Sequence, residues 1–558
     1  MHRRIWWKKW KALSGEVYTM KHKPWFAHYD DGVPREISIP RISLVDLLHE
    51  AVHKFGDSTC TICDTEAFSY QQIDDFSDRF ARYLLENGLK KGDRVGILLP
   101  NTASFVIAYY GILKAGGVVM ALNPAYRILE IESLSIESGI RFLVLPDAVY
   151  EGIKGIQENT QIKKLVVVDS EFGELSADDI SWEQLIEAYA VEGPIDVQVS
   201  SDDPAIFQYS GGTTGTPKCA IGLHRNLVAN VYQFNHWLVN TEPGKETVLV
   251  AIPIYHVYGM VLGMNLAIKM GARMVLIPDA RDLDGLLKSA EEYHATVFPG
   301  VPNLYAAINH YPPVLEGKYD LSSIKACISG SATLPLKVKQ EFESLTHGHL
   351  VEGYGLSEAP TATHCNPVLG ENREGSIGLP LPNVDCKIVD IETGERECSI
   401  GEAGELWVRG PQVMAGYHQR PEESANTLVG GWLRTGDVVR MDEDGYFYIV
   451  DRKKDVIKVG GFQVWPNEIE AVLFQHPKIR EAAVAGITET DGSEVPKAWV
   501  VLREGQTATA EELTLFCDRF MTRYKIPRYF EFRESLPRTR VGKVLRCELV
   551  AEHYRSKT

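Results

Sequence analysis

The sequence predicts an α/β protein: a large N-terminal domain of parallel αβ-layered sheets with a small β subdomain, then a small α+β C-terminal domain. Three observations carry this. Short apolar runs alternate with amphipathic stretches from Ser43 to about residue 170, and again beyond residue 205. Such alternation implies a mostly parallel sheet covered on both faces by helices. From Gly375 the texture changes to short strands and turns. At 558 residues the chain exceeds what one core usually supports. Its last stretch of roughly 100 residues is the size of a small domain. The expected division is 1–452 and 453–558.

Composition narrows the class. With 44% hydrophobic and 24% charged residues the chain is ordinary globular protein. A net charge of −17 argues against a general nucleic-acid binder, so no nucleic-acid partner is expected. No apolar run approaches the roughly 20 residues that span a bilayer. Nine cysteines scattered over the chain point to a reducing compartment, hence a cytoplasmic location. Cys60 and Cys63 form a lone CxxC within an alternating run and read as strand positions.

The elements follow in order. The start, Arg3-Arg4-Ile5-Trp6-Trp7-Lys8-Lys9-Trp10-Lys11, combines five cations with three tryptophans and lacks the pattern of a secretory signal. Two readings of residues 1–12 stay open: peripheral contact with the inner face of a membrane, or docking on the acidic body of the protein. Ser43 is placed to cap a helix carrying Leu44, Leu47, Leu48, Ala51, Val52 and Phe55. A second helix carries Ile73, Phe76, Phe80, Tyr83 and Leu84 and stops near Asn87-Gly88. Strands are expected at 95–99, 118–122, 142–145, 205–207, 247–252, 273–277 and 295–298, and a long apolar helix from Met260 to about Met270. A short strand should precede Gly353. Asp451-Arg452-Lys453-Lys454-Asp455 is a charged segment without apolar periodicity, followed by a strand at 456–459, the turn Gly460-Gly461 and a helix opening at Pro466. A ββαβ-like remainder closes the chain.

The stretch around which the rest is organised is Ser210-Gly211-Gly212-Thr213-Thr214-Gly215-Thr216-Pro217-Lys218. Three glycines let the backbone approach a ligand closely, the hydroxyls donate, and Lys218 adds a mobile positive charge. These suit a polyphosphate. It is not a Walker A loop, because Cys219 follows the lysine. The loop resembles that of the adenylate-forming superfamily: acyl-CoA synthetases, luciferases and peptide-synthetase adenylation domains. Its Gly-Gly-Thr-Thr-Gly variant is most similar to bacterial long-chain fatty acid–CoA ligases. The resemblance runs from Lys23-Pro24-Trp25 to Lys543-Val544-Leu545-Arg546.

That resemblance implies roles, position by position. Ser210 through Lys218 would fold over the β- and γ-phosphates of ATP. Gly330-Ser331-Ala332 and Gly353-Tyr354-Gly355 would sandwich adenine, Tyr354 by stacking. Ser357 would offer its hydroxyl to the α-phosphate and Glu358 would ligate Mg²⁺. Asp437 and Arg452 would bind the ribose hydroxyls. His256 would sit beside the substrate carboxylate in a positioning role, and the helix from Met260 would line the acyl pocket. Lys543 would bridge carboxylate and phosphate during adenylation, and Lys458 would come near the site in the second step. Gly460 and Gly461 would border the tunnel for coenzyme A. Alternate use of the two lysines implies a mobile C-terminal domain turning about Lys454.

The activity so implied is ATP-dependent ligation of a carboxylic acid, foremost a long-chain fatty acid, to CoA through an acyl-adenylate. A medium-chain or aryl acid, or a carrier protein as acceptor, stays open, as does assembly into a homodimer. From a different class, an inactive fatty-acid binding or transport protein is opposed by Lys218, Glu358, Asp437, Arg452 and Lys543 standing together.

Overall fold

The structure, a computed structural model, describes residues 23–169, 175–189, 193, 195–210, 218–453, 455–459, 462–489, 493–538 and 544–555; of Ser210, Phe462 and Gln463 it describes the backbone alone. The cap at Ser43 forms as its spacing predicts. Its hydroxyl accepts from the Asp46 N–H, and the Asp46 carboxylate accepts from the Ser43 N–H, which starts the helix Leu44–Phe55. Ser69 and Gln72 repeat the arrangement at the helix Tyr70–Glu86, which buries Ile73, Phe80, Tyr83 and Leu84.

Two large sheets form the N-terminal body. One has eight strands, in the spatial order Gly416–Tyr417, Lys218–Leu223, Pro204–Ser210, Val118–Ala121, Arg94–Ile97, Ile140–Pro146, Lys164–Val168 and Ile180–Ser181. From Pro204–Ser210 to Ile180–Ser181 all pairings are parallel; the other two are antiparallel. The second sheet holds a parallel block: Thr59–Cys63, Arg273–Leu276, Thr247–Val250, Val297–Gly300, Ala326–Ser329 and His349–Leu356. Cys60 and Cys63 therefore lie in a strand, and all nine cysteines are unpaired thiols.

The stretch after Gly375 is antiparallel, as its texture predicts. It does not stand apart, however. Ala359–Cys365 pairs with the last parallel strand and Ser376–Pro380 pairs with Ala359–Cys365. From there the ladder continues through Phe447–Arg452, Trp432–Met441, Gly404–Arg409 and Asp385–Val389. Hydrogen bonding thus makes the β-rich stretch an extension of the main sheet.

Three local expectations are corrected. The apolar helix opens as a π-helix, Gly259–Asn265, before the α-helix Leu266–Met270. A Cβ on Gly259 would lie 2.2 Å from the Pro253 carbonyl oxygen, so only glycine admits this packing. The strand before Gly353 runs on through Tyr354 to Leu356. The charged segment is not a solvated connection: Asp451 and Arg452 end the strand Phe447–Arg452, and Asp451 is fully buried. Its carboxylate accepts from the Asn467 N–H at the start of the helix Pro466–Leu473.

The C-terminal residues enclose apolar clusters of their own. One joins Ile457, Val464, Ile469, Leu473, Val484 and Leu513; the other joins Ile487, Trp499, Val501 and Leu549. The expected ββαβ order appears as Ile479–Thr488, Glu494–Leu502, Ala510–Cys517 and Tyr529–Arg533, closed by the helix Arg546–Arg555. No helix among the described residues is long and apolar enough to cross a membrane.

Candidate active site

The glycine-rich loop hangs from a hairpin. Pro204–Ser210 and Lys218–Leu223 pair antiparallel, with Ser210 opposite Lys218. Residues Gly211, Gly212, Thr213, Thr214, Gly215, Thr216 and Pro217 lie outside the described residues. The helix His224–Trp237 begins only after the second strand, so the strand–loop–helix order of a Walker A site is absent here.

A short segment from the extended sheet crosses to this hairpin. The Met414 N–H donates to the Glu358 carbonyl at 2.9 Å, and the Ala415 N–H to the Ile221 carbonyl at 2.9 Å. Gly416 pairs with Ile221 and Tyr417 with Ala220. The Tyr417 hydroxyl donates to Glu358 Oε1 at 2.9 Å, while the Lys218 ammonium lies 5.3 Å from the centre of the Tyr417 ring. The sequence reading missed Tyr417. Its one local signal is the Gly416-Tyr417 pair ahead of Pro421, too common to single out.

Tyr354, Asp437 and Arg452 come together as one cluster. The Tyr354 hydroxyl donates to Asp437 Oδ2 at 2.6 Å, and Arg452 Nε lies 3.0 Å from Asp437 Oδ1. Asp437 and Arg452 face each other across the antiparallel strands Trp432–Met441 and Phe447–Arg452. Burial, with the Asp437 charge beside it, pushes the Tyr354 phenol well up, so it keeps its proton. Burial disfavours the Arg452 charge; Asp437, Tyr354, Asp455 and Glu358 outweigh that and raise its affinity for the proton. Glu358 is thus within electrostatic reach of the Asp437–Arg452 pair.

The segment at Gly330 leaves its parallel strand, and Gly353 carries its own strand on past the parallel pairing, both just after the register pair Ser329–Glu352. Crevices at such strand ends are where open α/β sheets bind ligands. The Gly330 N–H donates to the Gly300 carbonyl at 3.1 Å, and a Cβ there would meet the Tyr258 ring at 3.1 Å. Ser331 takes a φ of +70° and, with Ala332, is exposed. Below them Glu352 is buried and accepts from the Leu334 N–H at 2.9 Å; burial pushes its carboxyl up to about 8. Gly355 and Ser357 border the same opening, Gly355 exposed and Ser357 half-buried.

His256 sits in the turn beyond Thr247–Val250. Its Nδ1 accepts from the Tyr258 N–H at 3.2 Å, so a neutral ring carries its proton on Nε2. Burial lowers the imidazole to about 4, which keeps it neutral near pH 7. Asn101, also missed, pins this turn: Nδ2 donates to the Val250 and Ile252 carbonyls, and Oδ1 accepts from the Ile254 N–H. The Tyr258 hydroxyl donates to the Ile328 carbonyl at 2.6 Å and ties the turn to the strand leading to Gly330.

The C-terminal residues are placed differently. Lys458 is exposed in the strand Ile457–Val459, and its N–H donates to Glu494 Oε2 at 2.7 Å. Lys454, Gly460, Gly461 and Lys543 lie outside the described residues, though Arg538 and Val544 pair across the neck of the Lys543 segment. Arg546, left without a role by the sequence, pairs with Glu470 at 2.8 Å and with Asp455 at 3.4 Å.

The donor set fits a metal that arrives with a nucleotide. Glu358 offers a carboxylate already oriented through one oxygen, and no group of three or more His, Cys, Asp or Glu among the described residues could form a cage. Mg²⁺ is commonly held in this way, by one or two carboxylates plus substrate phosphates.

Comparison with known proteins bears on this arrangement. Residues 48–418 match the AMP-binding enzyme family, and residues 468–543 match the AMP-binding enzyme C-terminal domain. A long-chain-fatty-acid–CoA ligase of Bacillus subtilis is 40% identical over 95% of this chain and 98% of its own length. One from Escherichia coli O157:H7 is 36% identical over 94% and 98%. Among solved structures, ATP-bound MatB from Rhodopseudomonas palustris is 28% identical, with a TM-score of 0.83 over 92% of this chain and 99% of its own. The anthranilate CoA ligase AuaEII in complex with anthranoyl-AMP is 26% identical, with a TM-score of 0.82 over 93% and 99%. The chain belongs to the AMP-binding enzyme family.

Proposed function

We propose that this protein is an ATP-dependent, AMP-forming fatty acid–CoA ligase that prefers long-chain acids. The observation that carries the reading is Tyr417 joining Lys218 to Glu358, with Glu358 in electrostatic reach of the Tyr354–Asp437–Arg452 cluster. The 40% identity to a long-chain ligase over 95% of this chain, against 35% over 86% for a probable 4-coumarate–CoA ligase, favours the aliphatic substrate.

In the first half-reaction the substrate carboxylate attacks the α-phosphorus of ATP, forming a C–O–P linkage and expelling pyrophosphate. Anion approaches anion, so the developing charge must be offset. Lys218 and the loop before it hold the outer phosphates, and Ser357 donates to the α-phosphate. Glu358 would hold Mg²⁺, which would supply charge neutralisation for the phosphates. The ring of Tyr354 and the segments at Gly330 and Gly353 hold the base; Asp437 and Arg452 hold the ribose. Neutral His256 orients the carboxylate without exchanging a proton. Lys543 bridges carboxylate and α-phosphate.

In the second half-reaction the CoA thiol loses its proton and attacks the acyl carbon, and AMP leaves with the bonding pair. Lys458, Gly460 and Gly461 serve this step. Residues 453–558 form a C-terminal domain that turns about Lys454 to exchange Lys543 for Lys458. The enzyme works in the cytoplasm.

The test is acid-dependent ATP–pyrophosphate exchange without CoA, followed by thioester formation with CoA, across C12–C18 acids, acetate and benzoate. Exchange with every long-chain acid and acyl-CoA on adding CoA is expected. No acid-dependent exchange overturns the ligase reading; preference for acetate or benzoate overturns the chain-length assignment.

A further inference from the structure

The segment 414–418 has no place in the residue roles above, yet it touches both poles of the phosphate site. It is stitched to the hairpin by the Ala415–Ile221 and His418–Cys219 backbone bonds, and to the turn that carries Glu358 by the Met414–Glu358 bond. Tyr417 is fixed between them. Its N–H donates to Ser424 Oγ at 2.8 Å, and that hydroxyl donates in turn to the Arg420 carbonyl at 2.7 Å. Gly416, at φ +139°, passes so close to Ser424 that a Cβ would lie 3.2 Å from its Oγ. The side chain is then presented with its hydroxyl on Glu358 and its face to Lys218.

We propose that Tyr417 is a positioning residue of the nucleotide–metal site, orienting Glu358 through its hydroxyl and Lys218 through its ring. The inference rests on Glu358 as the Mg²⁺ carboxylate. A phenol donating to one carboxylate oxygen fixes the plane in which the other meets a cation, as outer-shell partners of metal ligands do. An aromatic face steadies an ammonium without neutralising it, so Lys218 stays available to phosphate. Packing alone would need only the ring, which joins Ala220, Ala359, Met414 and Leu433 in a small apolar cluster.

The test measures ATP binding by calorimetry on the full chain, with Mg²⁺ and with the metal chelated, in the absence of fatty acid. Tyr417→Phe keeps the ring and removes the hydroxyl. It is expected to bind metal-free ATP within about twofold of wild type, while the gain in affinity from Mg²⁺ shrinks about tenfold. Tyr417→Leu removes the ring too, and metal-free binding weakens as well. Ser424→Ala, which loosens the Tyr417 backbone, gives the Tyr417→Phe pattern at smaller size and stands in should Tyr417→Phe unfold. Glu358→Gln identifies the source of any failure. If it abolishes the Mg²⁺ gain while Tyr417→Phe keeps it whole, the positioning role of Tyr417 is overturned and the Glu358 reading stands. If Glu358→Gln keeps the gain, Glu358 is not the metal carboxylate and both fall.

Discussion

Tyr354 and Asp437, 83 positions apart in the chain, are joined by a hydrogen bond of 2.6 Å from the phenol to Oδ2, with Arg452 on the other carboxylate oxygen. The residues proposed to hold adenine and ribose are therefore already one unit. Tyr354→Phe should cost about 1–2 kcal/mol in urea unfolding and raise the KM for ATP. Asp437→Ala should cost more, about 2–3 kcal/mol, because it strands the Arg452 charge. The figure stays below that of a fully buried pair since Arg452 keeps 36% of its side-chain surface in water. Equal losses for the two variants would contradict the linkage.

Glu352 predicts a pH dependence of stability. Its folded value of about 8 stands above the ordinary 4.5, so between those limits the folded state retains a proton that the unfolded state has released. Stability therefore falls as pH rises across that window, by at most about 1.4 kcal/mol per pH unit. Glu352→Gln removes this contribution. The variant should gain on wild type from pH 5 to 8, with the gap level above that. Parallel unfolding curves at every pH would refute the assignment.

His256 predicts the absence of a pH effect. Burial holds it near 4, so it is neutral on both sides of its ordinary value of 6.5. His256→Ala should lower kcat/KM for the acid through lost positioning. The shape of the pH–rate profile between 6 and 8 should match wild type. Disappearance of an inflection near 6.5 would make it an acid–base group instead.

Lys543 separates the two half-reactions. Lys543→Ala should slow adenylate formation by about 10²–10³, the usual loss for one electrostatic donor. Given pre-formed acyl-adenylate and CoA, the variant should make thioester near the wild-type rate. Comparable loss in both steps, with the circular dichroism spectrum intact, would reject domain alternation and leave the adenylation chemistry standing.

What was readable in advance is what depends on neighbours in the chain. The cap at Ser43 follows from a side chain three residues from its partner, and the helices at Leu44–Phe55 and Tyr70–Glu86 from apolar spacing. The first strand flanking the glycine loop was signalled by the apolar run Ala205-Ile206-Phe207, whereas the second strand and the hairpin were not. Asp451 gave no local signal, since the charged segment has no apolar periodicity, yet an aspartate can be buried where a backbone N–H such as that of Asn467 meets it.

By itself the sequence determined the α/β class, the order of motifs and the residue types that handle phosphate, metal and ribose. Only the tertiary structure decided that the β-rich stretch extends the main sheet, that Asp437 stands on Arg452, and that Tyr417 reaches Glu358 across 59 positions. The reason is physical. Periodicity and capping are set within a few residues, where backbone geometry restricts which side chains meet. A tyrosine hydroxyl finds a distant carboxylate only after both strands have been placed by the sheets that carry them, and one sequence position holds no record of that neighbour.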